Sequence, residues 1–142
     1  PMNFDNVPTL EDLKKVVSPG NYNCQATAAG VTVDDNNTVF SEVRWTVQDE
    51  GEFNGKEIRI RYYLGDGVLD GDGTLIAIDK GQSDWGAAAL KEALKACEVS
   101  IDPERGPDTD DLLGKTCNCL VTVGTGDTGR DFNRIEAYIP VA

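Results

Sequence analysis

A chain of 142 residues, 39% apolar and 27% charged, reads as one soluble globular domain, large enough to bury roughly two thirds of its unfolded surface without staples. Twenty-five acidic residues against 13 basic ones leave a net charge of -12, which argues against a protein that grips nucleic acid over its whole surface, because the summed field repels phosphates at long range. The chain has no histidine, hence neither the commonest general base nor the commonest metal ligand, and no apolar run approaches the ~20 residues of a membrane span.

The opening PMNFDNVP lacks the basic and apolar parts of a secretory signal, and Pro1 ahead of Met2 reads as the remnant of a removed tag, with the natural start at Met2. Thr9 to Val17 predicts a short packing helix: Thr9 caps it, acids fill the first turn, Leu10, Leu13 and Val17 recur at helical spacing, and Ser18-Pro19-Gly20 ends it. Asn21 to Val33 alternates as a strand, with Gly30 as the expected bend or bulge, and Asp34 to Asn37 is a turn.

Thr38 to Leu64 is a long β-hairpin. Val39, Ser41, Val43, Trp45 and Val47 share one face of its first arm, and Ile58, Ile60, Tyr62 and Leu64 share one face of its second. The opposite face carries Phe40, Glu42 and Arg44 on one arm and Glu57, Arg59, Arg61 and Tyr63 on the other. Gly65 to Gly73 is a loop by composition, order resumes at Leu75, Ile76 and Ile78, and a helix starts near Ser83 with Leu90, Leu94 and Cys97 along one side. Ile101 to Asp111 is an exposed connection. Lys115 to Val123 is a strand with Cys117, Cys119, Val121 and Val123 on one face, and Phe132 to Ile139 is a last strand with Ile135, Ala137 and Ile139 inward and Arg134, Glu136 and Tyr138 outward.

The expected architecture is therefore mainly β with a helical insert: a five-stranded oligonucleotide-binding (OB) barrel, with a helix between its third and fourth strands and a short N-terminal helix. Residues 1–19 form the N-terminal segment and 20–142 the barrel domain. In such a barrel ligand lies on strands 2 and 3 between the loops Val33 to Thr38 and Gly124 to Asp131.

Guanidiniums beside rings suit a single-stranded nucleic acid, the cations meeting phosphates and the flat faces meeting bases. Arg44, Arg59, Arg61, Phe40 and Tyr63 are the candidate contacts, and Lys115, Arg130, Phe132, Arg134 and Tyr138 the candidate extension of the track. The bland reading makes each arginine a solvated cation paired with Glu42 or Glu57; three on one hairpin face, in a chain with 13 basic residues, weigh against it. Trp45, Tyr62 and Trp85 read as core, and the outward face of the last strand reads equally well as a dimer edge.

Other motifs fall short. Asp66, Asp70 and Asp72 lack the spacing and the terminal Glu of a calcium loop, so Asp-Gly turns are expected. Gly114-Lys115-Thr116 lacks the first glycine and the following helix of a phosphate loop. Cys24, Cys97, Cys117 and Cys119 read as reduced, packed thiols of an intracellular protein, and neither a cofactor nor an enzymatic constellation is indicated.

With these residues laid out, the chain from about Gly20 to Pro140 resembles the OB-fold single-stranded DNA-binding proteins of bacteriophages, a family long catalogued only as a domain of unknown function. The resemblance rests on the GNYNCQATAAG opening strand, the WTV and FNGKEI strand pair, the WGAAALKEAL helix, the DLLGKTC start of the next strand and the closing FNRI. It implies coating of single strands without sequence preference during phage replication, recombination or repair in the cytoplasm of an infected bacterium. Phage recombination or replication proteins are the implied partners, although the acidic tail that often recruits them is not part of Pro140-Val141-Ala142. The rival expectation is an acidic interaction or structural phage protein, such as a DNA mimic, that binds no nucleic acid.

Overall fold

The computed structural model describes residues 4, 5, 7, 9–11, 15–79, 84–100 and 109–141. Its six strands are β1 (Gly20–Val33), β2 (Thr38–Val47), β3 (Glu57–Leu69), β4 (Leu75–Asp79), β5 (Thr116–Thr125) and β6 (Asp131–Ile139). One helix, α1 (Trp85–Ala96), lies between β4 and β5, and a short 3₁₀ turn (Thr109–Leu112) precedes β5. All six strands join one antiparallel sheet in the order β4-β3-β2-β1-β5-β6.

The mainly β expectation holds, but the closed barrel of five strands does not. The sheet is open, with β4 and β6 at its edges, and the helix follows the fourth strand instead of the third. The extra strand arises because Gly65 to Leu69, expected as loop, continues β3, and the chain turns only at Asp70–Thr74. There the Asp70 carboxylate accepts bonds from the amides of Asp72 and Thr74, each 2.9 Å, and Gly73 supplies a positive φ of 82°.

β1 bends at Thr27, one register slip between Ala26 and Ala28, and not at Gly30, which pairs regularly with Glu42. Its first half pairs with β5 and its second with β2, so one long strand serves both halves of the sheet. The helix-covered side of the sheet holds the core: Val43, Trp45, Val47, Ile58, Tyr62, Val121, Cys24, Cys117 and Cys119 pack with Leu90, Ala93, Leu94 and Cys97 of the helical segment and with Leu112. Each fully buried large side chain contributes about 1.5–3 kcal/mol. All four cysteines are buried and unbridged, with the Cys117 and Cys119 sulfurs 3.8 Å apart.

Side chains tie β3 to β6, and the N-terminal segment to β6, without a ladder. Tyr62 of β3 and Tyr138 of β6 share a hydroxyl-hydroxyl bond, and the Trp45 indole N–H donates to the Tyr62 hydroxyl at 3.1 Å. Burial pushes the ionisation of both tyrosines above its ordinary value. Val17, fully buried, is held by both groups of the Asn133 amide, its N–H donating and its carbonyl accepting, each at 2.8 Å. The helix sits close on β3: a Cβ on Gly86 would stand 2.0 Å from the Tyr63 carbonyl oxygen, so this contact requires glycine.

The helix expected over Thr9 to Val17 falls partly outside the described residues; Leu10 and Glu11 are helical, Leu10 is exposed, and Lys15 to Ser18 are not helical. Trp85, expected in the core, is 85% exposed at the start of α1. The connection expected over Ile101 to Asp111 is described only from Thr109 on, where Thr109 and Leu112 are buried.

Candidate nucleic-acid interface

The outer face of β2 and β3 is built by register. Phe40 stands opposite Tyr63, Glu42 opposite Arg61, Arg44 opposite Arg59, and Thr46 opposite Glu57. Side chains of directly opposed residues lie within contact distance, so this ladder places all three arginines and both rings on one surface. The slip between Val39 and Phe40 comes after these pairs and leaves their alternation intact.

At the upper end, the Arg61 guanidinium lies 4.5 Å from the centroid of the Phe40 ring and bonds Glu42 at 3.2 Å. Bonding to the Tyr63 hydroxyl and then to the Glu42 carboxylate raises the Arg61 pKa. Phe40 is thereby covered to 5% exposure, which corrects its expected role as a free ring, whereas Tyr63 remains 51% exposed with its centroid 5.6 Å from that of Phe40. In the middle, Arg44 and Arg59 face each other directly. Neither engages a carboxylate among the described residues, although Glu57 lies one step further along the ladder.

β1 lowers the neighbouring ground. Ala28, Gly30 and Thr32 stand opposite Arg44, Glu42 and Phe40, and with those small residues the face forms a shallow groove of about 290 Å³.

The candidates on β5 and β6 divide. Arg130 and Phe132 border an open cleft of about 480 Å³ that Arg59 also lines, so they do join the hairpin face. Arg134 lies 4.8 Å over the Phe132 ring, and both cross Gly124, where a Cβ would meet the ring at 2.8 Å. Lys115 instead lies in a separate groove with Cys97, Glu98 and Val141, apart from the other candidates. Tyr138 is a correction: it points inward, in ring contact with Trp45 at 5.7 Å, because the ladder slips between Leu120 and Val121 and makes Glu136 the extra residue. One inserted residue reverses every side chain beyond it.

Lys15 and Lys56, which also line the cleft, were missed by sequence reasoning. Lys56 sits one residue before β3 and carried no pattern; Lys15 reaches the cleft only through the Val17–Asn133 clasp, which spans 116 residues of chain. Among the described residues no group of three or more acidic or cysteine side chains is arranged to hold a metal, and no helix is long and apolar enough to cross a membrane.

Fold and surface together define an open antiparallel sheet bearing a cationic, ring-flanked outer face on an acidic body. No protein-family model matches the chain, and no curated protein matches it significantly.

Proposed function

We propose that this protein binds single-stranded DNA without sequence preference through the outer face of β2 and β3, protecting or presenting the strand during phage DNA replication, recombination or repair. The observation that carries the reading is the Arg44–Arg59 pair. Like charges directly opposite each other destabilise a sheet, so a chain of net charge -12 that keeps such a pair without an acid between them holds a site suited to an outside anion. Phosphates supply the anion, and the half-exposed Tyr63 ring supplies a surface on which a base stacks.

The strand order supports an OB-type reading of five of the six strands. β1 pairs with both β2 and β5, β2 with β3, and β5 with β6, with β4 as an added hairpin arm and the β3–β6 closure made by side chains. The ligand face of such a barrel coincides with the arginine face. Phage recombination or replication proteins are the partners this reading implies, with the bacterial cytoplasm as its setting.

The test is binding to a labelled oligonucleotide across a salt series. Affinity should fall with a log–log slope of about 0.7 per phosphate neutralised. Arg44→Ala with Arg59→Ala should flatten the slope and weaken all sequences alike, and Arg61→Ala should do so less, because Glu42 already offsets that cation. An unchanged slope in the double variant overturns the site. The second reading, an acidic interaction protein, is favoured by the net charge and the Arg61–Glu42 pair, and absence of any low-salt mobility shift would select it.

A further inference from the structure

The cleft beside the hairpin face has a charge balance opposite to that of the molecule. Lys15, Lys56, Arg59 and Arg130 line it against two acids, Glu57 and Asp131, so 4 − 2 leaves an excess of two positive charges. Four of the chain's 13 basic residues thus border one cleft of about 480 Å³. Asp131 accepts a 2.9 Å bond from the Thr125 hydroxyl across the β5–β6 turn, which fixes its carboxylate on the turn without removing its charge.

The walls are held in place independently of any ligand. Asn133, itself in the cleft lining, clasps the Val17 backbone and so fixes the segment that carries Lys15 and Val16. Gly126 donates to the Arg130 carbonyl at 2.9 Å and Gly129 to the Gly126 carbonyl at 2.9 Å, which tightens the turn bearing Arg130. Walls whose backbone is already ordered leave only the side chains of the cations to be ordered when an anion binds.

Arg59 belongs to both surfaces, as the partner of Arg44 on the ladder and as a wall of the cleft. From Tyr63 to Lys56 the track runs seven steps along β3 and the residue before it, roughly 23 Å at about 3.3 Å per step. On the proposed strand-binding reading, on which this step rests, we infer that the single strand does not end on the β2–β3 face. It turns past Arg59 into the cleft, where Lys15, Lys56 and Arg130 hold its backbone phosphates. The cleft sets the exit direction of the strand and the longer limit of the binding site. Phosphodiester oxygen is the recognised group, so no base is selected there.

A length-dependent salt series tests it, using oligothymidylates of about 4 and about 16 nucleotides, the ends of the range a single OB-type surface covers. The folded variant K15Q/K56Q/R130Q, its fold checked by circular dichroism and melting, should lose about 1.4 from the log–log slope on the long oligonucleotide, two phosphates at about 0.7 each. On the short one it should match the wild type. The single variants K15Q and R130Q should each take about a third of that loss, which keeps the test open should the triple variant not fold. A slope unchanged on the long oligonucleotide, in the triple variant or in both single ones, overturns the cleft while leaving the hairpin face standing. Equal losses at both lengths overturn it as well, since the cleft would then belong to the primary contact. Tight binding of free inorganic phosphate that the long oligonucleotide does not displace would also overturn it. A wild-type chain that binds neither length brings down the strand-binding reading itself, and this inference with it.

Discussion

The β2–β3 ladder and the β5–β6 ladder come from the same kind of sequence, alternating runs joined by a glycine-containing turn, yet only the first carries its alternation intact through the candidate residues. From Phe40 to Thr46 each outward side chain meets an outward partner, so faces assigned from period two are the faces observed. On β6 the same reasoning is right for Phe132, Arg134 and Ile135 and wrong for Tyr138, because Glu136 is inserted between them without a partner. Alternation thus carries information only between slips. Here a slip separates an exposed cation track from a half-buried tyrosine that bridges the sheet.

The strongest way to break this contrast is to remove the slip. Inserting one residue between Leu120 and Val121 would give Glu136 a partner, restore regular pairing and force either Tyr138 or Ile135 to the wrong face. Loss of a buried large aromatic costs about 3–5 kcal/mol, so the variant should unfold at far lower denaturant than the wild type. Deleting a residue from the β5–β6 turn outside both ladders, such as Thr128, should cost much less. Chemical denaturation of both measures the difference, and equal losses would mean that the slip does not determine which side chains are buried.

A smaller effect sharpens the role of the inward tyrosine. The folded state holds Tyr62 and Tyr138 neutral by burial, so their pKa lies above the ordinary 10.0. For groups raised in this way the stabilisation is complete below the unfolded value and is lost as pH climbs from about 10 toward the folded one. Stability should therefore fall steeply above pH 10. Tyr138→Phe should cost about 1 kcal/mol at neutral pH through the lost hydroxyl bond, and should make the alkaline fall shallower because one ionising group has gone. An alkaline limb as steep as the wild type's would place Tyr138 at the surface after all.

Much of the fold was legible because the hairpin, the cysteine strand and the α1 stripe of Leu90 and Leu94 each follow a local period. The extra strand was not, since Gly65, Asp66 and Gly67 have loop composition. Gly65 and Asp66 pair with the start of β2, Asp66 and Gly67 with β4, and Gly67 fits where a Cβ would meet Val39, Leu75 and Asn37 at 3.0–3.2 Å. Trp85 was misplaced for a related reason. Its spacing fits the buried stripe, but the glycine beside it brings the helix start so close to β3 that no room remains beneath a large ring. Within the candidate site, the ladder residues were legible and the cleft was not, because Lys15, Arg59 and Arg130 meet only through contacts between distant parts of the chain.

The finest contrast concerns Phe132, whose ring lies across a glycine on the same outward surface as the arginines. Two roles fit that geometry: covering the bare backbone of Gly124, which is a recurrent use of aromatics beside strand glycines, and stacking a base beside the cleft. A double-mutant cycle separates them. If covering is its function, Phe132→Ala should cost about 1 kcal/mol in the wild type and markedly less in a Gly124→Ala background, where the added methyl shields the strand and, meeting the ring at 2.8 Å, pushes it off its place. If stacking adds to it, Phe132→Ala should also weaken oligonucleotide binding in both backgrounds, by about 1–3 kcal/mol per base stacked. Because Arg134 already occupies a position over the ring at 4.8 Å, one face is taken and a single base is the most that can stack. A stability cost that is the same in both backgrounds would remove the covering role, and unchanged affinity would confine Phe132 to it.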